Sequence, residues 1–218
     1  MTSAEQGIER MRKAFGLALL SASIITVAGC GDSQQASPKP AAAVQAEALA
    51  PMHFATVDAM IEDFGDYSAE NGSFVLESSE PLKVQFAPTV VPGDLPENIE
   101  REVRRAALYG VFRTLIHTDA GAVAVTSVPN ETTFNPHSTR LLEKPRLTIS
   151  TTREQALQAV KSLVDAQQLS ELVMPERAGT IQLDNWRKDF EDLYFKDEGQ
   201  KALLQALQAS GAAVSFKG

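Results

Sequence analysis

The sequence predicts an α+β domain, an open sheet of about four strands with helices packed on it, in the order α-ββ-α-ββ-α-α-α. Three observations predict it. Apolar spacing along residues 52–218 switches between a two-residue and a 3.6-residue period. A long segment near the middle is apolar nearly all round in its second half, as a helix buried between layers would be. Residues 31–218 hold neither an internal repeat nor a cysteine, which sets aside solenoids and disulfide scaffolds.

The first predicted helix gathers Phe54, Val57, Ile61 and Phe64 on one face and Asp58, Glu62 and Asp63 on the other, and Gly65 closes it. Residues 73–77 and 82–87 read as a hairpin: Leu82, Val84 and Phe86 alternate with Lys83 and Gln85, and Ser78-Ser79-Glu80-Pro81 suits the turn. Asp94-Leu95-Pro96-Glu97 announces a helix from Pro96 to Thr118, with Asp94 as N-cap and Glu97 three residues on.

In that helix Ile99, Val103, Ala106, Ala107, Gly110, Thr114 and His117 share one face, while Leu108, Val111, Phe112, Leu115 and Ile116 lie largely opposite. Small residues on one side allow close approach to a sheet, and bulky ones on the other imply a further layer, so it should be the central helix. Arg101, Arg104 and Arg105 fall in its early part, expected to be exposed.

Gly121 precedes Ala122–Val128, apolar on both faces as an interior strand would be, and Pro129 ends it. If this strand lies parallel beside residues 82–87, the connection through the central helix is a right-handed crossover. Residues 129–145 are expected as a long loop. A strand from Arg146 to Ser150 then leads into a capping box at Thr151-Thr152-Arg153-Glu154 and a helix burying Ala156, Leu157, Val160, Leu163 and Val164. The last third is expected to be helical, with Asp184 capping a segment that holds Trp186, Phe190, Leu193 and Tyr194, followed by a helix with Leu203, Leu204 and Leu207 that stops near Gly211.

Ahead of this domain, Arg10, Arg12 and Lys13 precede an uncharged run over residues 14–29, the layout of a signal peptide. That run has 16 residues and carries Ser21, Ser23 and Thr26, which is short of the roughly 20 apolar residues that span a membrane. Glu5 and Glu9 are unusual ahead of a basic leader, and Met11 offers an alternative start. Residues 30–51 are rich in Gln, Ala, Ser and Pro and read as a flexible tether. The expected organisation is a leader over 1–29, a tether over 30–51 and one globular domain over 52–218.

The run ends in Val27-Ala28-Gly29-Cys30, a branched aliphatic, two small residues and the only cysteine of the chain. This segment resembles the lipobox of bacterial lipoproteins, and the resemblance covers residues 11–33 alone. It implies cleavage between Gly29 and Cys30, with a diacylglyceryl thioether on the Cys30 sulfur and further acylation by fatty acid such as palmitate. The address implied is the cell envelope. Gly31 stands where many enterobacterial lipoproteins carry the aspartate that retains them in the inner membrane, so the outer membrane, facing the periplasm, is favoured. The family of the domain over 52–218 is not recognisable in the sequence.

Charge and chemistry narrow the function. The chain holds 20 Lys+Arg and 28 Asp+Glu, and residues 1–29 account for three of the bases and two of the acids, which leaves a net charge of −9 over residues 30–218. Such a surface repels nucleic acid and anionic lipid headgroups. With Cys30 the sole thiol, thiol catalysis and cysteine-ligated metals are not expected over residues 31–218. The three histidines, His53, His117 and His137, show no helical ligand spacing, and His117 reads as a satisfied core or cap histidine. GxSxG, SxxK, GxGxxG and phosphate-cradle motifs are absent from the sequence, and no cofactor is expected.

Acid pairs such as Glu62 and Asp63 read as solvated faces, and Trp186, Phe190, Tyr194 and Phe195 read first as core and second as a binding patch. The expected function is a membrane-anchored envelope lipoprotein that acts non-enzymatically through contacts with other envelope proteins, as an accessory subunit of an assembly or secretion system. The alternative is a small-ligand-binding lipoprotein or a hydrolase that uses the 129–145 loop, where His137 and Arg140 are the candidate site residues.

Overall fold

A computed structural model describes residues 49–218 of the chain. The leader over 1–29, the Gly29–Cys30 junction and the tether as far as residue 48 lie outside the described residues. The remainder mixes five α-helices with open sheets.

Alternating side chains make strands at Phe74–Ser79 (β1) and Leu82–Phe86 (β2), which pair antiparallel as the predicted hairpin. Before them Val57–Phe64 forms α1, where the Thr56 hydroxyl accepts from the Ala59 N–H and Gly65 closes the helix at φ 69°, a left-handed conformation that suits glycine. After a short strand, Thr89–Val90 (β3), the central helix α2 runs over Pro96–His117, and all but one residue from Val103 to His117 are buried. It connects β2 to Ala122–Ser127 (β4), and those two strands are parallel neighbours. Beyond β4 lie Arg146–Thr152 (β7) and Ala213–Lys217 (β10), both antiparallel, which completes a five-stranded sheet in the order β1-β2-β4-β7-β10.

The sheet buries one face only. Val84, Phe86, Val123, Val125, Leu147 and Ile149 point at the helices, whereas Lys83 and Ser150 on the other side are exposed and Gln85, Ala124, Thr126 and Thr148 are half-buried. The expectation that β4 is buried on both faces is therefore corrected: its second face carries alanine and threonine that meet solvent in part. Against α2 pack α3 (Arg153–Lys161), α4 (Lys188–Phe195) and α5 (Asp197–Ala209), so the helices form the second layer.

Close approach of α2 to the sheet depends on Gly110. A Cβ there would sit 2.5 Å from Phe86 Cε2 and 2.8 Å from Val125 Cγ1, both in the fully buried core. Gly110→Ala is expected to cost up to about 2 kcal/mol, overpacking of about 1–3 kcal/mol less the roughly 1 kcal/mol of helix propensity that alanine gains. Chemical denaturation of the variant measures it, and an unchanged midpoint would mean that the helix rides clear of the strands. At the other end, Arg153 donates to the main-chain oxygens of Leu115, Thr118 (2.7 Å) and Ala120 (2.9 Å). Leu115 lies in the last turn of α2, whose carbonyls a helix C-terminus leaves unpaired, and Thr118 and Ala120 follow that end.

Several expectations are corrected. The 129–145 loop is mostly a hairpin, Asn130–Phe134 (β5) against His137–Leu141 (β6), and β5 also pairs in parallel with β3. Residues 173–186 form another hairpin, Val173–Ala178 (β8) with Ile181–Trp186 (β9), turning at Gly179 with φ 65°. Asp184 thus lies in a strand and caps nothing, and α4 starts four residues after it.

The cap of α2 is Leu95, not Asp94, whose carboxylate instead accepts from the Val91 N–H at 3.1 Å. The capping box of α3 is shifted by one residue, with Thr152 and Gln155 exchanging bonds where Thr151 and Glu154 were expected. Helix α3 ends at Lys161, ahead of Leu163 and Val164. Arg104, expected to be exposed, is 6% exposed and bonds Asp197 at 2.5 Å and Glu100 at 3.3 Å.

Candidate functional site

Glu102, Arg105, Tyr109 and Arg113 recur at three- and four-residue spacing, so they form one stripe along α2. This stripe runs along a third side of α2, where Tyr109 still packs against Phe86 of β2. Asp66 and Tyr67, which follow α1, stand opposite it with Trp186 from β9 and Tyr194 and Phe195 from α4, and together they line a cleft of about 820 Å³. Sites for small molecules commonly measure about 300–1,000 Å³.

Aromatic rings build the walls. Tyr67 and Tyr109 stack tilted at 5.0 Å between centroids over Phe86, and Trp186 lies 5.1 Å from Tyr194. Burial pushes the phenols of Tyr67, Tyr109 and Tyr194 well above the ordinary tyrosine range, and the Asp66 charge pushes each in the same direction. All three therefore stay neutral at physiological pH and present hydroxyls. Tyr109 is 3% exposed, and among the described residues no group completes a well-aligned hydrogen bond to its phenol oxygen, although the Asp66 carboxylate is close enough to act on it.

Arg113 joins the cleft to a buried polar cluster. Its guanidinium lies 3.8 Å from the Trp186 ring centre and 4.9 Å from that of Phe64. Burial lowers its pKa, opposed by the nearby phenols, Asp66 and Asp184. From Nη1 it donates to the Asp184 main-chain oxygen at 2.7 Å and to His117 Nε2 at 3.2 Å.

An arginine nitrogen can only donate, so His117 Nε2 is unprotonated and its Nδ1–H donates to the Met52 oxygen at 2.9 Å. Burial drives the His117 pKa down to about 4. The Asp184 carboxylate, also fully buried, accepts from the Met52 N–H at 2.6 Å and from Gln182 at 3.0 Å, and Gln182 further donates to the Ala50 oxygen. The chain is thereby held to β9 from Ala50 onward.

His117 is thus the satisfied core histidine expected of it. His137 and Arg140 lie on β6, where every residue is exposed, and their spacing places them on opposite faces of the strand. Arg140 pairs with Glu131 across the hairpin at 2.7 Å. Neither residue lines the cleft. Of the aromatic cluster, Phe190 and Tyr194 are core, Trp186 is 8% exposed at the cleft wall, and Phe195 is 48% exposed.

Sequence reasoning missed the cleft, although a polar i, i+3, i+7, i+11 stripe in an otherwise apolar helix signalled that a third face of α2 meets something other than core. Comparison with protein-family models, with curated proteins and with solved structures finds no match to this chain.

Proposed function

We propose that this protein is a bacterial envelope lipoprotein, held to the outer membrane by lipid on Cys30 after cleavage behind Gly29. Its domain acts non-enzymatically through contacts with other envelope proteins, as an accessory subunit of an assembly or secretion system. The anchor rests on Val27-Ala28-Gly29-Cys30 behind a basic leader.

The observation that carries protein contact is the β5–β6 hairpin. All five residues of β6 are exposed, Phe134 at its turn is 72% exposed and Leu141 is 50% exposed. Strand β6 is the edge of the three-stranded sheet. An edge strand with unpaired main-chain groups and apolar side chains is the surface on which a partner adds a strand.

Metabolic labelling with a fatty acid is expected to tag the wild type, while Cys30→Ser loses both the label and retention in the membrane fraction. Retention unchanged in that variant would sink the anchor. A photo-crosslinker at position 134 is expected to capture a defined envelope protein, with capture lost when Leu141→Asp is added. Yields no higher than those from a crosslinker at exposed position 62 would sink the contact surface. The alternative, small-ligand binding, draws on the cleft along α2 rather than on His137 and Arg140.

A further inference from the structure

The cleft along α2 has an unbalanced charge. Its carboxylates are Asp66, Glu102, Glu176 and Glu191, and its cations are Arg105 and Arg113. Arg105 is paired with Glu102. Arg113 is spent on internal acceptors, with buried Asp184 as its compensating charge. Glu191 is shared with Lys188 at 2.9 Å. Among the described residues, that leaves Asp66, exposed on the segment after α1 and paired with no cation, and Glu176, whose one hydrogen bond there is from the neutral Asn185 amide.

Beneath this excess of negative charge sits the buried phenol of Tyr109, which among the described residues completes no well-aligned hydrogen bond. Asp66, Arg113 and Tyr194 surround it and line the cleft with it, and the Asp66 carboxylate is the group that its hydroxyl proton can turn toward, which leaves the oxygen lone pairs free to accept. A buried hydroxyl without a partner costs about 1–3 kcal/mol unless something occupies it. Neutral phenol oxygens accept hydrogen bonds, and aromatic walls pack well against the aliphatic stem of a long cation.

We propose that this cleft binds a protonated amine on a flexible alkyl arm, with the Asp66 carboxylate as counter-ion and tyrosine phenol oxygens as neutral acceptors. Such a group is presented by a free polyamine or by a lysine side chain of a protein. The proposal does not depend on the lipid anchor or on the β5–β6 hairpin.

The cleft contains its own probe, because Trp186 is the only tryptophan of the chain and lines it. Tryptophan fluorescence of the full chain, titrated with spermidine and separately with an oligolysine peptide, is expected to change saturably, and the effect should weaken with salt. Asp66→Asn should weaken binding about tenfold or more, as loss of a charged hydrogen bond does. Tyr109→Phe should weaken it several-fold while leaving the melting temperature at or above that of the wild type. Glu143→Gln, an acid outside the cleft, should bind as the wild type does.

Saturation by spermidine would identify a free amine as sufficient, and saturation by the peptide alone would identify a protein lysine; either supports the proposal. It is overturned if neither ligand saturates, if Asp66→Asn binds unchanged, if Glu143→Gln weakens binding as much as Asp66→Asn, or if a neutral saccharide or inorganic phosphate alone produces the change.

Discussion

Asp184→Ala is expected to lower the unfolding free energy by about 3–5 kcal/mol, the loss seen when one member of a buried charged cluster is removed and the rest stay in place. Without the carboxylate, the Met52 N–H loses its acceptor, the Gln182 amide loses one of its two, and buried Arg113 loses its compensating charge. Native domains are stable by about 5–15 kcal/mol, so this is a large share of the total. Denaturant unfolding measures it.

A second reading of the same variant is local. Residues 50–52 should become cleavable by protease at low concentration, because Asp184 and Gln182 hold them to β9. Asp184→Asn keeps one acceptor oxygen and should retain much of the protection. A loss below about 1 kcal/mol for the alanine variant would mean that the charge is compensated elsewhere, since that is the range of a surface pair.

The second large effect is acid sensitivity centred on His117. In the unfolded chain this imidazole takes a proton near its ordinary value of 6.5, and in the fold only at about 4. Between those pH values the unfolded state holds more protons, so stability rises with pH. The contribution is complete above about pH 6.5 and is lost as pH falls to about 4. Its size is about 3 kcal/mol.

Geometry gives the same direction. A proton on Nε2 would face the Arg113 guanidinium 3.2 Å away, with Phe54 and Phe64 closing the other sides. Unfolding free energy measured between pH 7 and pH 4 should fall steeply in the wild type and much less in His117→Gln, which titrates nowhere in this range. Equal slopes in the two proteins would show that carboxylates such as Asp189 and Asp197, held low by their arginine and lysine partners, account for the acid loss instead.

Much of the first half of the fold was legible because local signals there are strong. Residues 54–65 carry helix periodicity and a glycine stop, 74–86 carry alternation around a turn, and 96–117 carry a face of small residues that only close packing on a sheet explains. The parallel pairing of β2 and β4 also fits the connection expected through that helix.

Legibility fell where tertiary contacts supply the reason for an element. The β5–β6 hairpin is built from Thr, Asn, Ser and Arg with little apolar alternation, so nothing marked it within a polar stretch, although Asn135-Pro136 marks its turn. Strand β10 is five residues at the chain's end, and its pairing with β7 rather than its own pattern makes it a strand. Charged residues misled in the same way. Arg104 was expected to be exposed and Asp184 to cap a helix because an isolated charge belongs in water, and each is buried only because a partner far away in sequence compensates it.

By itself, the sequence determined the identities and spacings: a sole cysteine in a lipobox-like segment, an acidic chain after it, a mixed α and β pattern, and a central helix with a small-residue face. Tertiary structure alone decided which residues meet. The stripe of Glu102, Arg105, Tyr109 and Arg113 becomes a cleft wall only when β9, α4 and the segment after α1 arrive opposite it. Periodicity reports which side of an element is apolar, whereas a site is made by elements distant in the chain, and their apposition is fixed by burial of the core between them.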